Sequence, residues 1–556
     1  MIYKVAKQRA QTRLDIGEVP VIRDQNGTLL TEEKLIKDRW REYFNTLLNV
    51  ENDRDPLEEH PPVEGPILEV SREEVGEAMQ KMKSGKAAGG SGLPVDLLKH
   101  LGEEGKEMVY SLLQKIWREE EMPKEWELSE IVTIYKKKGD PMECGNFRGI
   151  KLLEHAMKMF EKVLEKRLRS LITIDNMQFG FSPGKGTTDA VFIIKQLQEK
   201  HLETQRDLFF TFVDLEKAYD RIPRDLVYWC LRKRNVPEKL VRLVQTTYHG
   251  ARTVVRTKYG KTDEFNIRVG LHQGSGLSPF LFTVVLDVIS EEYRGGLPWE
   301  LLFADDLALM ADSEEELQRK WLCWQNGMES KGLKVNITKT EVMVSSRKET
   351  KIDIKDKNNI SLKQVSDFKY LGVTLNEEGG SEAAVRARVT AAWAKWRDLS
   401  SVINDKRMPR RLKTKLYSTI IRPVLLYGAE VWTMGRKEER LLEATEMRML
   451  RRIKGVTLKD KERSENIRKE LGVNDINEKV KEIRMRWYGH VLRMDDGNPV
   501  KEVMHTEVEG KRPRGRPRKR WKDNIKGDMH HFKVTPEDAQ NKHYWRTKTR
   551  AADPAD

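Results

Sequence analysis

The sequence predicts an α+β protein: a strand-rich middle, helical segments on either side, and a basic C-terminal region. Three observations carry that prediction. Apolar residues recur at helical spacing before about residue 200 and again after 378, strand-length apolar runs cluster between 207 and 375, and cations accumulate after 456. At 556 residues the chain has room for several domains of roughly 150 residues each. Lys plus Arg is 102 against 88 for Asp plus Glu, a net charge of +14, which points to a polyanionic partner. With 38% apolar residues the chain is too apolar for wholesale disorder. No apolar run approaches the ~18 residues of a membrane span, and the start, MIYKVAKQRAQTR, has no signal-peptide core. Cys144, Cys230 and Cys323 stand far apart, so neither a disulfide framework nor a zinc-binding Cys pair is expected. Secreted, membrane-spanning and zinc-finger readings are set aside in favour of an intracellular protein.

The elements follow in order. Residues 1–66 read as helix, turn, helix, with Asn26-Gly27 as the turn and Leu35, Trp40, Tyr43, Phe44, Leu47 and Leu48 at helical spacing after it. Residues 58–66 (EEHPPVEGP) form a linker, and Ser71 with Glu74 makes a capping box opening a helix to about Lys83. Residues 67–200 are mostly helical, broken by a β-like pair at 131–135 and a Gly/Pro-rich loop at 179–188. Between 207 and 375, LFFTFVDL (208–215) is a strand, 253–258 and 264–269 flank a turn, and LLFADDLALM (301–310) is two strand halves around a carboxylate pair. Two more short strands fall at 341–345 and 368–375. Residues 383–399 and 410–427 are amphipathic helices, the second with Leu412, Leu416 and Ile420 on one face.

The sharpest feature is Asp305-Asp306. Acids inside an apolar run are costly unless compensated. One account is a hairpin turn, where Asp is common, although Asp-Asp lacks the Asn-Gly or Asp-Gly chemistry of a tight turn. The other is a divalent-metal site, with Asp214 arriving at the end of the strand FFTFV to complete it. Two strands each delivering an acid could hold two cations roughly 3.5–4 Å apart. A second pair, Asp495-Asp496, follows WYGHVLRM and runs into Gly497-Asn498-Pro499. No second strand closes it, so it reads as a surface turn.

With these motifs in order, the sequence resembles the reverse transcriptases of non-LTR (LINE-type, RTE-like in flavour) retrotransposons. FVDLEKAYD (212–220) resembles the first metal-binding motif, GLHQGSGLSP (270–279) the template–substrate motif and FADD (303–306) the second catalytic motif. GLKVNITKTEVM (332–343) and FKYLGVTL (368–375) resemble the two motifs that follow, and CGNFRGIKLL (144–153) and QFGFSPGKGTTDAVF (178–192) those of the fingers. RPVLLYGAEVW (422–432) and the stretch at 486–525 resemble the C-terminal part of such elements. The resemblance implies a right-hand polymerase: an N-terminal helical extension (1–66), fingers (67–200), a palm with an antiparallel sheet (201–377), a helical thumb (378–455) and a basic nucleic-acid-binding region (456–556). It lacks anything similar to an upstream endonuclease or a late RNase H.

Carried over by position, the resemblance implies that Asp214 and Asp305, with Asp306 beside them, hold two Mg²⁺ ions, Mn²⁺ being an alternative. It places Tyr219 under the sugar, Gln273 in the nucleotide pocket, Lys136 and Arg148 on the triphosphate and Lys339 near the pyrophosphate. Packing or helix capping is the other account of Tyr219 and Gln273, and a solvated surface cation that of Lys136 and Lys339. RNA template, DNA primer or target, and dNTPs are the partners implied, with no membrane. The nucleus is the expected location, with a cytoplasmic RNA–protein particle as an earlier stage. The sequence departs from the family at Ala88 and Ser91, at Ser182 in the fingers loop, and at Gly149 where Pro is usual, which puts loop rigidity and template contact in question. Residues 511–522 (KRPRGRPRKRWK) carry eight cations and no acid. Arg514, Arg516, Arg518, Lys519 and Arg520 are expected to bind nucleic acid, Arg514-Gly515-Arg516-Pro517 resembling an AT-hook, or the segment is a solvated tail or import signal. In each case it is expected to be disordered when free. Two other classes stay open: a group II intron-type maturase, and a decayed or domesticated copy that only binds nucleic acid.

Overall fold

The computed structural model describes residues 19–510 and 518–554. Among them a five-stranded sheet runs in the order 363–364, 341–345, 208–213, 306–311, 300–303. Its pairings are antiparallel except at the 363–364 edge. Alternation along each strand explains why the sheet divides two cores. Leu208, Phe210 and Phe212 face one core while Phe209 and Val213 face the other, and Ala308 and Met310 against Leu307, Leu309 and Ala311 repeat the split. A sheet covered on both faces reads as a continuous apolar run, as LFFTFV does. The helices Ser278–Ser290 and Glu314–Ser330 cover one face. The helix Thr187–Glu203 and the hairpin Asp367–Tyr370/Val373–Asn376 cover the other, with Phe368 stacked on Phe212 at 3.9 Å between ring centroids.

A second sheet has the order 147–152, 128–135, 252–257, 260–261, with 265–266 also beside 252–257. The hairpin that the sequence groups with the central strands therefore belongs here. Its strand runs parallel to Leu128–Tyr135, a long-range pairing that local periodicity cannot reveal. The division of the chain at residue 200 thus does not follow the sheets. The helix Glu33–Leu47 lies on this second sheet through Ile36, Trp40, Phe44 and Leu47. Leu35, expected in that stripe, is exposed, and Ile36 is the buried position. Asn26-Gly27 does form the turn, between Ile22–Arg23 and Leu29–Leu30. The helix expected before it falls on residues 1–18, outside the described residues. The Ser71–Glu74 capping box is present in both directions.

After 378 the chain is helical, and the basic region from 456 is a packed part of the fold. The helices Arg436–Lys454, Ile476–Leu492 and Trp521–Phe532 share the core that covers the central sheet. Trp487 and Trp521 both meet Phe192 of the Thr187–Glu203 helix edge-on, at 5.7 and 4.9 Å. The Trp521 indole donates to Glu430 O at 2.8 Å, and that of Trp545 to Met485 O at 2.9 Å. Expecting residues 511–522 to be disordered therefore fails at 518–522, where Trp521 is buried in the core. Residues 511–517, including Arg514 and Arg516, lie outside the described residues.

Candidate active site

Three aspartates meet at one end of the central sheet. Strand pairing places Leu307 opposite Val213, so the next residues outward, Asp306 and Asp214, stand across from each other on neighbouring strands. Asp305 is the second residue of the two-residue loop joining 300–303 to 306–311, and the left-handed backbone falls on Ala304, at φ 55°. The hairpin turn and the carboxylate site are thus one element. Asp-Asp tolerates it because Ala304, the first loop residue, takes the strained conformation.

That turn is held from below by the QFGF segment. Gln178, fully buried, accepts through Oε1 from the N–H of Ala304 at 3.1 Å and of Gly180 at 3.0 Å. The Phe179 N–H donates to Leu302 O at 2.7 Å. Gly180 is obligatory: a Cβ there would lie 2.3 Å from Ala304 N. On the other side Asp214 is embraced by the 332–343 segment. Its O accepts from Asn336 N–H at 2.8 Å, and its Oδ2 meets Lys339 Nζ at 3.3 Å.

Crowding shows in the electrostatics. Partial burial and then the Asp305 and Asp214 charges push the Asp306 carboxyl up to about 6. Burial and Asp214 raise Asp305 as well, and Arg148 pulls it back. Cations gather beside the acids. Burial, then Lys217, Lys339 and Arg148, hold the Lys136 ammonium below its usual range, which places these four cations together. Lys136 Nζ donates to Gly145 O at 2.8 Å. Lys217, not singled out in the sequence, is held above the Tyr43 ring at 5.3 Å. Gathered cations of this kind suit a polyanionic ligand.

The 270–279 segment is the next wall. Its backbone is sewn to the first motif by Leu271 N–H to Tyr219 O and Gly270 N–H to Ile222 O, both 2.9 Å. Gln273 donates through Nε2 to Asp220 Oδ1 at 2.9 Å. Glu161, buried on the helix His155–Leu171, accepts from Ser275 Oγ at 2.6 Å and Gly276 N–H at 2.8 Å. The Tyr219 ring packs on Phe282 at 5.5 Å and is half-buried. The structure therefore brings Asp214, Asp305, Asp306, Lys136, Arg148 and Lys339 to one cleft, with Tyr219 and Gln273 on its adjoining wall. Sequence reasoning missed Lys217, Gln178, Glu161 and Asp220. Lys217 and Asp220, inside DLEKAYD, and Gln178, which opens QFGFSPGKGTTDAVF, lay in motifs the sequence displays; Glu161 carried no visible signal.

The departures have compensations. A Cβ on Gly149 would sit 2.6 Å from the Phe44 ring, so the N-terminal helix requires a small residue there. Ser182 Oγ donates to Gln178 O at 3.0 Å and ties down its own loop. The second acid pair is the surface turn expected, with Asp495 and Asp496 exposed and Asp496 paired with Lys501 at 2.7 Å. In the basic segment, Arg518 donates to Glu378 O at 2.9 Å, Lys519 to Met434 O at 2.9 Å, and Arg520 pairs with Asp523 at 3.0 Å. Each of the three spends a donor on its own fold, and Arg518 and Lys519 remain exposed.

The donor set fits hard divalent cations. It offers carboxylate oxygens in mutual repulsion, which a cation relieves, and leaves room for phosphate and water oxygens. Among the described residues no group of three or more His, Cys, Asp or Glu side chains could by itself hold a metal ion; Mg²⁺ commonly takes only one or two protein carboxylates beside substrate oxygens. No described helix is long and apolar enough to cross a membrane.

Paired acids at the end of an antiparallel sheet, with cations beside them, form a site suited to divalent metal and a polyanionic substrate. Residues 134–375 match the family described as reverse transcriptase (RNA-dependent DNA polymerase). It is 25% identical to a probable RNA-directed DNA polymerase from transposon BS of Drosophila melanogaster, over 71% of this chain and 45% of that one. It is 24% identical to the RNA-directed DNA polymerase from mobile element jockey of Drosophila funebris, over 84% and 52%. The chain thus spans about half the length of these relatives. Among solved structures, telomerase from Candida Tropicalis in complex with a TWJ fragment of telomeric RNA aligns over 75% of this chain and 72% of that one, with TM-score 0.36 and 12% identity.

Proposed function

We propose that this chain is an RNA-directed DNA polymerase that extends a DNA 3′-hydroxyl on an RNA template with dNTPs, in retrotransposition. The observation that carries the reading is the convergence of Asp214, Asp305 and Asp306 beside Lys136, Arg148, Lys217 and Lys339. Asp214 and Asp305 would hold two Mg²⁺ ions, with Mn²⁺ as a substitute, and these when bound supply positive charge to the attacking hydroxyl and the triphosphate. The four cations preorganise the triphosphate before any bond changes. Lys339, within 3.3 Å of Asp214, carries a proton where the pyrophosphate leaves. Tyr219 forms the floor beneath the sugar and excludes a 2′-hydroxyl, and Gln273 borders the base. The segments 67–200, 201–377 and 378–455 serve as fingers, palm and thumb, with residues 252–266 lending strands to the fingers sheet. A DNA target implies work in the nucleus after assembly of an RNA–protein particle.

The test is primer extension on a preformed RNA–DNA hybrid with the purified chain, with Mg²⁺ and with chelator. Mg²⁺-dependent incorporation of dNTPs is the expected result. Hybrid binding without incorporation would favour a protein that only holds nucleic acid.

A further inference from the structure

Asp220 is a half-buried carboxylate that the chemistry above does not use. It lies on the short helix Ala218–Arg221 and accepts from Gln273 at 2.9 Å. Lys151, buried at 3% exposure, sends its ammonium into the same interior, where Nζ finds no hydrogen-bond partner and the Asp220 charge is a neighbouring one. Burial, only partly offset by Lys151, Lys217, Lys136 and the Gln273 bond, raises the Asp220 carboxyl to about 6. Burial likewise drives the Lys151 ammonium down to about 7. A buried ammonium without a hydrogen-bond partner costs the fold stability, so packing alone does not account for Lys151 beside Asp220.

Its location does. The Lys151 N–H donates to Gln273 O at 2.7 Å, so strand 147–152 holds the backbone of Gln273 while Asp220 holds its side chain. A Cβ on Gly274 would lie 2.4 Å from Lys151 O, which fixes how closely the two segments approach. An ionised carboxylate only accepts, so the Gln273 amide must turn its nitrogen toward Asp220. That leaves Oε1 and the second N–H in a set orientation for the cleft.

We propose that Asp220 is a positioning residue for the incoming nucleotide: it orients the Gln273 amide, with Lys151 as its buried counter-charge. The proposal rests on the polymerase reading of the cleft. Asp220→Ala should raise the KM for dNTP about tenfold, the order expected for one charge-assisted hydrogen bond, while kcat changes less than about threefold. Asp220→Asn with Lys151→Met keeps an acceptor for Gln273 without a stranded charge, and should restore KM to near the wild-type value. Should Asp220→Ala fail to fold, Asp220→Leu with Lys151→Met, which removes both charges, should show the same KM defect. All are assayed as full-length chains by dNTP titration of primer extension on a preformed hybrid, beside thermal melting. A lower Tm with unchanged KM in wild-type-active preparations would overturn this proposal alone. A wild-type chain that extends nothing would overturn the polymerase reading and this proposal with it.

Discussion

Asp305-Asp306 and Asp495-Asp496 are the same dipeptide, one after the apolar LLFA and the other after the mixed WYGHVLRM, and the fold gives them opposite surroundings. The first pair sits at a hairpin tip pinned by Gln178 and crowded by Asp214, and burial with like charge raises both carboxyls. The second lies on an exposed turn where Lys501 holds the Asp496 carboxyl below its usual range. An acidic pair becomes chemically useful when neighbouring acids raise its energy and a cation can lower it. Beside a lysine on a surface it is merely solvated.

The largest effect should come from removing one acid of the crowded set. Asp214→Asn should lower extension by at least about a thousandfold, the scale for losing a group that places charge in the transition state. Hybrid binding by filter retention should stay near normal. Without metal this variant should melt no lower than wild type, because one of three repelling charges is gone. A smaller loss is expected from Gln178→Leu, which removes the acceptor for Ala304 N–H but touches no substrate. Supporting groups of this kind cost roughly 10–100-fold, so kcat should fall in that range with the dNTP KM little changed. Unchanged kcat would detach the QFGF segment from the hairpin.

Tyr219→Ala should act on sugar choice more than on rate. Competing rNTP and dNTP incorporation measures it, and unaltered discrimination would reduce Tyr219 to packing against Phe282. The subtlest contrast is titration. In metal-free protein with 13C-labelled Asp, Asp306 should titrate near 6 and Asp496 below the usual carboxylate range. The signs for stability then oppose. Asp306 has a raised folded-state value, so its ionisation disfavours the fold and stability from this group falls as pH rises from about 4 through 6. Asp496 has a depressed one, so what it contributes is present above the ordinary value and is lost on further acidification. Equal titration of the two would erase the comparison.

Much of the contrast was legible in the sequence. Asp214 and Asp305 stand at the ends of apolar strands, and the order of motifs places them together, while Asp495-Asp496 had no second strand to close on. The supporting contacts were not legible. Gln178 reaches Ala304 from a distant loop, Lys217 joins the gathered cations through a left-handed backbone at φ 49°, and Lys151 looks like any strand cation until its burial is seen. Composition hid the C-terminal helices for a related reason. Trp487, Trp521 and Trp545 are isolated in basic sequence, and each contributes one ring to a core that exists only when several helices meet. Local pattern reports which residues can form a site, and long-range contacts decide which of them do.

The central claim is that surroundings, not the dipeptide, make the active pair. Wild type, Asp305→Asn and Asp496→Asn should be compared side by side for Mg²⁺-dependent primer extension on one preformed RNA–DNA hybrid. The account predicts extension by wild type and Asp496→Asn at equal rates, and none above background by Asp305→Asn. Extension retained by Asp305→Asn, or lost by Asp496→Asn, would contradict it.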